Sequence, residues 1–326
     1  MIPRLVAAAL FYMLTHTALA NDGGARQLLE KMLAAEQYLN FEGTFVYLSG
    51  PKVETLQVIH SFDKNGERER LTSTAGSSEE LVRDDKRMLW VSPARKVVLI
   101  ESLQNRETSR GAASIPDPFR QPGGYYDLTL GGTERVADHL CQTVSIYPKD
   151  QFRYGFRLCI EQESGLLLKA QTVDKAGQPR EQMMFTSISL PDSIATERLQ
   201  TSVPKDDFAV LQARDDDAGK ATPAINPDWT VVDLPPGFLI TRNSMRHVAS
   251  SALPVQHIVL DDGLATLSVF IAKSVPGEPY TAGILQSGAL SAFSRKVDDY
   301  VVTVVGEVPA LTAQRVGVSV SRNRVQ

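Results

Sequence analysis

The sequence has little cysteine, no block of basic residues and no long apolar segment after its first twenty residues. Its two cysteines, Cys141 and Cys159, belong to no CxxC pair and to no pattern of metal-ligand spacing, so the sequence predicts no bound metal. No segment beyond residue 20 is apolar enough to cross a bilayer as a helix. The formal charge is −4, and this balance without a basic patch argues against nucleic acid as the main partner.

The motifs of common enzyme chemistry are also absent. The sequence contains no nucleophile elbow, P-loop, Rossmann glycine pattern or zinc-protease helix motif. Its five histidines are scattered singly, which is more typical of packed or surface residues than of a catalytic base. Carboxylates are plentiful, so the sequence does not exclude an acid–base pair that the fold brings together. The residues alone therefore predict no catalytic residue and no cofactor, and they indicate a binding protein rather than an enzyme.

The first twenty residues are typical of a secretory signal peptide rather than of folded structure. Arg4 gives the start a positive charge, and residues 5–14 form a short apolar run. Ala18-Leu19-Ala20 then matches the small-residue pattern that precedes a cleavage site. No cysteine lies near the cleavage point, which argues against a lipid anchor there. We therefore expect a soluble protein that is exported from the cytoplasm.

Most of the remaining sequence consists of short β-strand patterns separated by turns. The clearest series lies at 139–190, where four runs of β-branched and aromatic residues are joined by short polar turns. Such short connections favour antiparallel pairing. More strand patterns occupy 41–102, and they follow a predicted helix at 21–40 whose apolar residues recur at helical spacing. The sequence therefore predicts a mainly β (α+β) fold with a helix packed on a sheet.

A proline-containing, acidic stretch at 200–227 is typical of a linker. It separates a predicted domain at 21–199 from a smaller β-rich domain at 228–326, with a strand or short helix expected within the linker at 208–213. The smaller domain has strand patterns joined by turns at Pro236-Gly237 and Asp262-Gly263. Because few contacts need to cross such a linker, the two domains can shift relative to each other.

The two cysteines flank one predicted hairpin in the series at 139–190. In a symmetric antiparallel hairpin, Cys141 and Cys159 face each other on neighbouring strands. An oxidising compartment favours a disulfide between them. The alternative is two buried thiols that pack as small apolar side chains. We expect the disulfide.

Five stretches of the sequence are distinctive when taken together. They are FEGTFVY (41–47), PKDQFRYGFRL (148–158), GLLLK (165–169), WTVVDLPPGF (229–238) and GALSAFSRKVDDYVVTVVGEVP (288–309). In this order they resemble the MucB/RseB family, the periplasmic regulators of the extracytoplasmic sigma factor sigma-E. The resemblance extends over nearly all of the chain after the signal peptide, and its last stretch is the most specific. It is a resemblance of overall pattern and includes no catalytic motif.

The resemblance implies a fold and a function. The first domain is expected to be an open half-barrel of antiparallel strands over helices, similar to lipoprotein carriers, with an apolar hollow. The second is expected to bind the periplasmic domain of a membrane anti-sigma factor and so to shield that factor from proteolysis. Lipid or lipopolysaccharide is the implied signal for release. The alternatives are a periplasmic lipid or lipoprotein carrier, which needs no second domain, and a secreted hydrolase. The sequence leaves homo-oligomer formation open.

Four aromatic and apolar residues are candidates for lining the hollow of the first domain. Phe45 and Tyr47 share one face of a strand, and Met88 and Trp90 share a face of another. A hollow of this kind is expected to bind lipid through such side chains. The alternative for each residue is an ordinary filled core.

A predicted hairpin near residues 295–300 supplies the candidates for binding the partner. Arg295, Lys296 and Tyr300 lie where this hairpin ends, within the second domain. The alternative is a solvated turn that binds nothing.

Overall fold

Antiparallel strands make up most of the chain, as the alternating patterns and short turns predict. The computed structural model describes residues 17–75, 78–103, 124–201, 208–212, 222–223, 228–246, 254–275 and 280–323, and the statements below concern these residues. The apolar run of the predicted signal peptide and much of the predicted linker lie outside them. Neither described α-helix is both long and apolar enough to cross a membrane.

The first domain consists of one helix and a 12-stranded sheet. Helix α1 spans Thr17–Tyr38. The strands are β1 (Phe41–Ser49), β2 (Lys52–Asp63), β3 (Gly66–Ser73), β4 (Glu80–Asp84), β5 (Arg87–Ser92), β6 (Val97–Ser102), β7 (Tyr126–Val136), β8 (His139–Pro148), β9 (Gly155–Glu161), β10 (Leu167–Val173), β11 (Pro179–Ser189) and β12 (Ala209–Gln212). Their order in space is β12-β6-β5-β4-β3-β2-β1-β11-β10-β9-β8-β7. Because β1 pairs with both β2 and β11, it joins two meanders into one open sheet.

Helix α1 packs on this sheet through its apolar face. Leu29 and Met32 are fully buried in a core cluster with Val144, Ile146 and Leu158 of β8 and β9. The helical spacing of these apolar residues is what places them on one side of the helix. The predicted helix at 21–40 is therefore confirmed, and the observed helix begins earlier, at Thr17.

The second domain is a 7-stranded sheet with a short helix and a two-stranded sheet. Its elements are β13 (Thr222–Pro223), β14 (Trp229–Val231), β15 (Leu239–Arg246), β16 (Val255–Asp261), β17 (Thr266–Lys273), β18 (Gly283–Ser287), β19 (Leu290–Val297), β20 (Tyr300–Gly306), α2 (Ala310–Ser319) and β21 (Val320–Arg322). Helix α2 buries Ala313 and Val316 in a core cluster with Val304 of β20. Strands β14 and β21 pair with each other. The predicted mainly β class, with a large sheet followed by a smaller β-rich domain, is confirmed.

One strand departs from the predicted antiparallel pattern. Strand β12 lies in the predicted linker and pairs with β6 in parallel, at one edge of the large sheet. The predicted strand or short helix at 208–213 is therefore a strand. Its parallel partner was not predicted, because the pattern of apolar residues indicates a strand but not its neighbour.

The predicted disulfide is present between β8 and β9. Cys141 and Cys159 are bonded and almost completely buried. The symmetric hairpin was wrong in register, because Cys159 lies opposite Thr143 and Cys141 lies opposite Glu161. The bridge therefore joins a diagonal pair, with a Cα–Cα distance of 5.3 Å that suits a disulfide.

The second domain contains a buried histidine whose surroundings disfavour its protonation. His257 of β16 stacks on Phe270 with ring centroids 4.5 Å apart, and its Nε2 lies 3.0 Å from the Ser268 hydroxyl. Burial, together with the positive charges of Arg246 and Arg242, lowers the pKa of His257 from 6.5 to about 4. Between these values the unfolded chain binds a proton that the folded chain does not, so acidification favours unfolding.

We therefore expect stability to fall between pH 7.5 and pH 5, with about 1 kcal/mol of the loss due to His257 after allowance for solvent screening. Urea unfolding of the wild type and of His257→Gln at both pH values measures this contribution. Carboxyl groups titrate alike in the two proteins, so their effects cancel in the comparison. An identical pH dependence in both proteins would contradict the assignment.

Candidate ligand cavity and domain interface

A small cavity lies between α1 and the sheet of the first domain. Its volume is about 80 Å³. Its apolar lining comprises Leu33, Phe41, Phe45, Val58, Leu166, Leu167, Met183 and Phe185. Its polar lining comprises Glu36, Gln37, His60, Glu67, Glu69 and Arg83. The cavity is therefore amphipathic, with the hydrogen-bonding groups supplied mainly by β2, β3 and β4.

The strand register explains why these polar side chains meet. His60 of β2 lies opposite Glu69 of β3, and Glu69 lies opposite Arg83 of β4. Directly opposed residues share a face of an antiparallel sheet, so the three side chains form a row across it, which we call the polar row. Phe41 of β1 extends this row, because it lies opposite His60. Its ring stacks on the imidazole with centroids 4.8 Å apart.

The polar row is linked to Glu67, two residues before Glu69 on the same face of β3. Arg83 Nη2 donates to Glu67 Oε1 and lies 3.5 Å from Glu69 Oε2. His60 Nδ1 donates to the Leu39 carbonyl oxygen at 2.8 Å, and His60 Nε2 lies 3.3 Å from Glu67 Oε1. Burial opposes the ionisation of Glu67, but the hydrogen bond from His60 and the charge of Arg83 outweigh it and lower the pKa of Glu67. Glu67 is thus the ionised partner of both bases.

Glu69 has a different environment from Glu67. Burial raises the pKa of Glu69, and the charge of Arg83 offsets this only in part. Its Oε1 is buried and has no hydrogen-bond partner among the described residues. The Glu69 carboxyl group thus places an unsatisfied acceptor in the cavity wall.

The sequence contains a signal for part of the polar row. Asn65-Gly66 is a strong hairpin signal between two strand patterns, and the observed register starts with Asp63 opposite Gly66. Counting back from this turn places His60 opposite Glu69. Arg83 had no such signal, because the connection between β3 and β4 is longer.

The four predicted ligand-binding residues lie on the cavity side of the sheet, but only one lines the cavity. Phe45 does so and packs edge-on to Phe185, with ring centroids 5.6 Å apart. Met88 lies opposite Arg83, at the end of the polar row, and Trp90 lies on the same face of β5. Neither belongs to the lining among the described residues.

Tyr47, the fourth predicted ligand-binding residue, lies on the same strand face as Phe45 but outside the described cavity lining. Burial and the neighbouring charge of Glu181 raise the pKa of the Tyr47 hydroxyl. Ligand binding by Phe45, Tyr47, Met88 and Trp90 stays a prediction.

The second major feature is an arginine buried between the two domains. Arg153, in the loop between β8 and β9, has a fully buried side chain. Its Nη1 lies 2.5 Å from Oδ2 of Asp262, whose side chain is also fully buried, and its Nε lies 3.1 Å from Asp150 Oδ1. It also donates to the Pro236 carbonyl oxygen, and Tyr126 donates its hydroxyl to Asp262 Oδ2 at 3.0 Å. We call these five residues the Arg153 cluster.

Aromatic rings cover the Arg153 guanidinium. Its Cζ lies 4.6 Å from the ring centroid of Tyr125 and 5.0 Å from that of Phe238, so both rings can stabilise the cation. Gly237 makes this close approach possible, since a Cβ there would lie 2.2 Å from the Tyr125 ring. Gly237 also has φ of +84°, as the predicted type II turn requires.

Other contacts extend the interface between the domains. Thr312 donates its hydroxyl to the Phe152 carbonyl oxygen at 2.7 Å, and Gln286 donates to the Tyr154 hydroxyl at 2.9 Å. Leu264 of the second domain belongs to the core cluster that packs beneath α1. The contacts between the domains are therefore more extensive than the linker alone requires. A shift of one domain against the other must break the buried pair of Arg153 with Asp262 and the apolar contacts of Leu264.

The three predicted partner-binding residues occupy different environments. Arg295 donates to the carbonyl oxygens of Gly317, Val318 and Val320, where α2 ends, and so stabilises that helix terminus. Lys296 is exposed.

Tyr300 packs against Trp229, with ring centroids 5.2 Å apart. A partner-binding role for Arg295, Lys296 and Tyr300 stays a prediction, and Lys296 has the freest side chain of the three.

Comparison with known proteins identifies the family. The family model described as the MucB/RseB N-terminal domain matches residues 24–203, and that of the MucB/RseB C-terminal domain matches residues 223–321. The chain belongs to the MucB/RseB family. Within this family it is 33% identical over 301 residues to the sigma factor AlgU regulatory protein MucB of Pseudomonas aeruginosa, covering 91% of this chain and 90% of that protein. It is 24% identical over 329 residues to the sigma-E factor regulatory protein RseB of Escherichia coli K12, covering 99% and 97%.

Solved structures of MucB share the fold of this MucB/RseB chain. A chain in the complex structure of Pseudomonas aeruginosa MucA/MucB superposes with a TM-score of 0.72 at 30% identity, covering 93% of this chain and 100% of that one. The crystal structure of MucB gives a TM-score of 0.63 at 29% identity, covering 92% and 98%. Two of the stretches that carried the resemblance, 148–158 and 229–238, meet at the Arg153 cluster.

Proposed function

We propose that this chain is a periplasmic negative regulator of a sigma-E-type envelope stress response. It binds the periplasmic domain of a membrane anti-sigma factor, shields that factor from proteolysis and is released by lipid or lipopolysaccharide. The observation that carries the proposal is the similarity, over both domains, to a chain in the MucA/MucB complex. The proposal describes a binding protein without catalytic activity.

The cavity and the interface suggest how ligand and partner are coupled. A void of about 80 Å³ is smaller than an engineered cavity of roughly 150 Å³ that holds benzene, so an acyl chain must displace part of the lining to enter. Helix α1 forms one wall through Leu33, and Leu33 and Leu264 belong to the same core cluster. Leu264 lies two residues after Asp262 of the Arg153 cluster. Displacement of α1 by a ligand is therefore expected to disturb the domain interface.

A lipid or lipoprotein carrier is the second candidate. The amphipathic cavity favours it, because such a cavity suits an amphiphile. A carrier, however, needs neither the second domain nor a buried charge pair that fixes this domain to the first. We therefore propose that ligand binding serves as a signal and not as a step of transport.

Titration of the periplasmic segment of the MucA-like anti-sigma factor from the same organism tests the proposal. We expect full-length protein to bind this segment with a Kd of about 1 μM or tighter. Saturating amphiphile should weaken this binding by about 10-fold, and the segment should weaken amphiphile binding by the same factor. Binding of amphiphile without binding of the segment would support the carrier instead. Binding of the segment that is indifferent to amphiphile would remove the release mechanism.

A further inference from the structure

We propose that the polar end of the cavity is a site for a headgroup that donates hydrogen bonds, an ammonium or a hydroxyl, and that Glu69 is its acceptor. This inference rests on the proposed binding of amphiphiles in the cavity. It adds the chemical class of the headgroup and excludes a phosphate or sulfate at this position.

The first argument is the unsatisfied acceptor. Glu69 is 5% exposed, and its Oε1 has no hydrogen-bond partner among the described residues. Nearly all buried polar groups in proteins have a partner, because an unpaired one costs free energy. Glu69 also lines the cavity, so a ligand that displaces part of the lining, as an acyl chain must, can bring a donor to this carboxyl group. A ligand that brings an N–H or O–H group removes this cost on binding.

The second argument is the balance of charge around the cavity. Its described lining contains three carboxyl groups, on Glu36, Glu67 and Glu69, and one guanidinium, on Arg83. Arg83 already contacts Glu67 and Glu69, and His60 lies beside Glu67. A phosphate would enter a wall whose basic side chains, Arg83 and His60, are already engaged by carboxyl groups. An ammonium would instead be attracted by the carboxyl groups of this wall and would need no basic partner.

The third argument is the position of Glu69 between the polar and apolar parts of the lining. Glu69 lies across from His60, whose ring stacks on Phe41, and Phe41 is part of the apolar lining. A headgroup at Glu69 therefore leaves its alkyl chain among the aromatic and aliphatic side chains. A hydroxyl both donates and accepts hydrogen bonds, so it can pair with the Glu69 carboxyl group whether that group is protonated or ionised. Unlike an ammonium, a hydroxyl brings no positive charge to this pairing.

Three decyl amphiphiles with the same chain test this inference: decylammonium, decanol and decyl phosphate. Each is titrated calorimetrically into full-length protein below its micelle concentration, at physiological salt. We expect decylammonium to bind about 10-fold or more tighter than decyl phosphate, with decanol between them. In Glu69→Gln, this preference should fall to about 2-fold or less, because the neutral amide no longer attracts an ammonium selectively.

Glu80→Gln is the matched control. Glu80 is also buried, at 3% exposure, but it pairs with Arg70 at 2.8 Å and does not line the cavity. It should keep the preference for ammonium. The control matters because a protein with a net charge of −4 attracts any cationic amphiphile to its surface, and both variants change that charge equally.

The outcomes separate the headgroup from the binding of lipid itself. Equal binding of the three amphiphiles to the wild type, or tighter binding of decyl phosphate, overturns the headgroup inference and leaves the proposed lipid role intact. Absence of binding by all three overturns both. A preference that persists in Glu69→Gln, or that is lost equally in Glu80→Gln, overturns the assignment to Glu69. If Glu69→Gln does not fold, the wild-type ranking is measured again at about 0.5 M salt, which screens attraction to the surface far more than a buried pair, and a preference for ammonium that disappears there overturns the inference.

Discussion

Replacing Arg153 with methionine is expected to destabilise the protein by about 3–5 kcal/mol and to uncouple its two domains. Methionine fills much of the same space but leaves the fully buried carboxylate of Asp262 without its countercharge. An unpaired buried charge is far more costly than the loss of an exposed ion pair. The variant should therefore lose the rigid contact between the domains before either domain loses its own core.

The two tryptophans make this loss measurable. Trp90 lies in the first domain and Trp229 in the second, and the sequence contains no others. Urea unfolding followed in Trp90→Phe and Trp229→Phe backgrounds reports each domain separately. We expect coincident transitions with Arg153 present and separate transitions with Arg153→Met.

Two further variants serve as controls for this prediction. Arg87→Met removes an exposed ion pair with Asp84, at 3.4 Å, and should cost less than about 1 kcal/mol. Asp262→Asn added to Arg153→Met removes the unpaired charge, and the asparagine oxygen still accepts from the backbone N–H groups of Leu264 and Ala265. The double variant should therefore be more stable than Arg153→Met alone. If Arg153→Met costs no more than Arg87→Met, the cluster does not hold the domains together.

Replacing both cysteines with alanine is expected to lower the free energy of unfolding by about 3 kcal/mol while the fold is retained. The bridge joins residues 18 apart, so its loss frees a loop of moderate length in the unfolded chain. The fold should survive because the core cluster beneath α1 contains neither Cys141 nor Cys159.

Thermal and urea unfolding with and without reductant measure this contribution. Reduced wild type should match the Cys141→Ala/Cys159→Ala variant, and oxidised wild type should exceed both. Far-ultraviolet circular dichroism shows whether the sheets persist in the variant. Intact mass of the exported protein provides the independent check, since two free thiols in the oxidised sample would contradict the bridge.

The local features of the fold could be predicted from the sequence, whereas contacts between distant elements could not. Asn65-Gly66 and Pro236-Gly237 have a turn chemistry that depends on two residues, and both turns form with the glycine at positive φ. The pairing of Cys141 with Cys159 followed from a single hairpin. In each case the information lies within a short segment.

The Arg153 cluster shows why the rest could not be predicted. In the sequence, Arg153 is one polar residue of a turn, and such residues are usually exposed. It is buried because the second domain docks on this turn and brings Asp262, which lies more than a hundred residues away, into contact with it. No local pattern indicates a partner at that distance. The same reason applies to β12, whose parallel pairing with β6 depends on the path of the linker.

The position of β12 also determines where the first domain can be cut. An uncovered edge strand presents unpaired backbone groups that can add a strand from another molecule and begin aggregation. In this protein β12 pairs with β6 and so covers its edge. Strand β12 nevertheless lies beyond the predicted domain at 21–199 and beyond the region at 24–203 that the family model matches. A fragment that stops at residue 199 would leave β6 as an exposed edge strand that is prone to aggregation. A fragment that continues to residue 212 would keep that edge paired, and would be the better reagent for studying the domain in isolation.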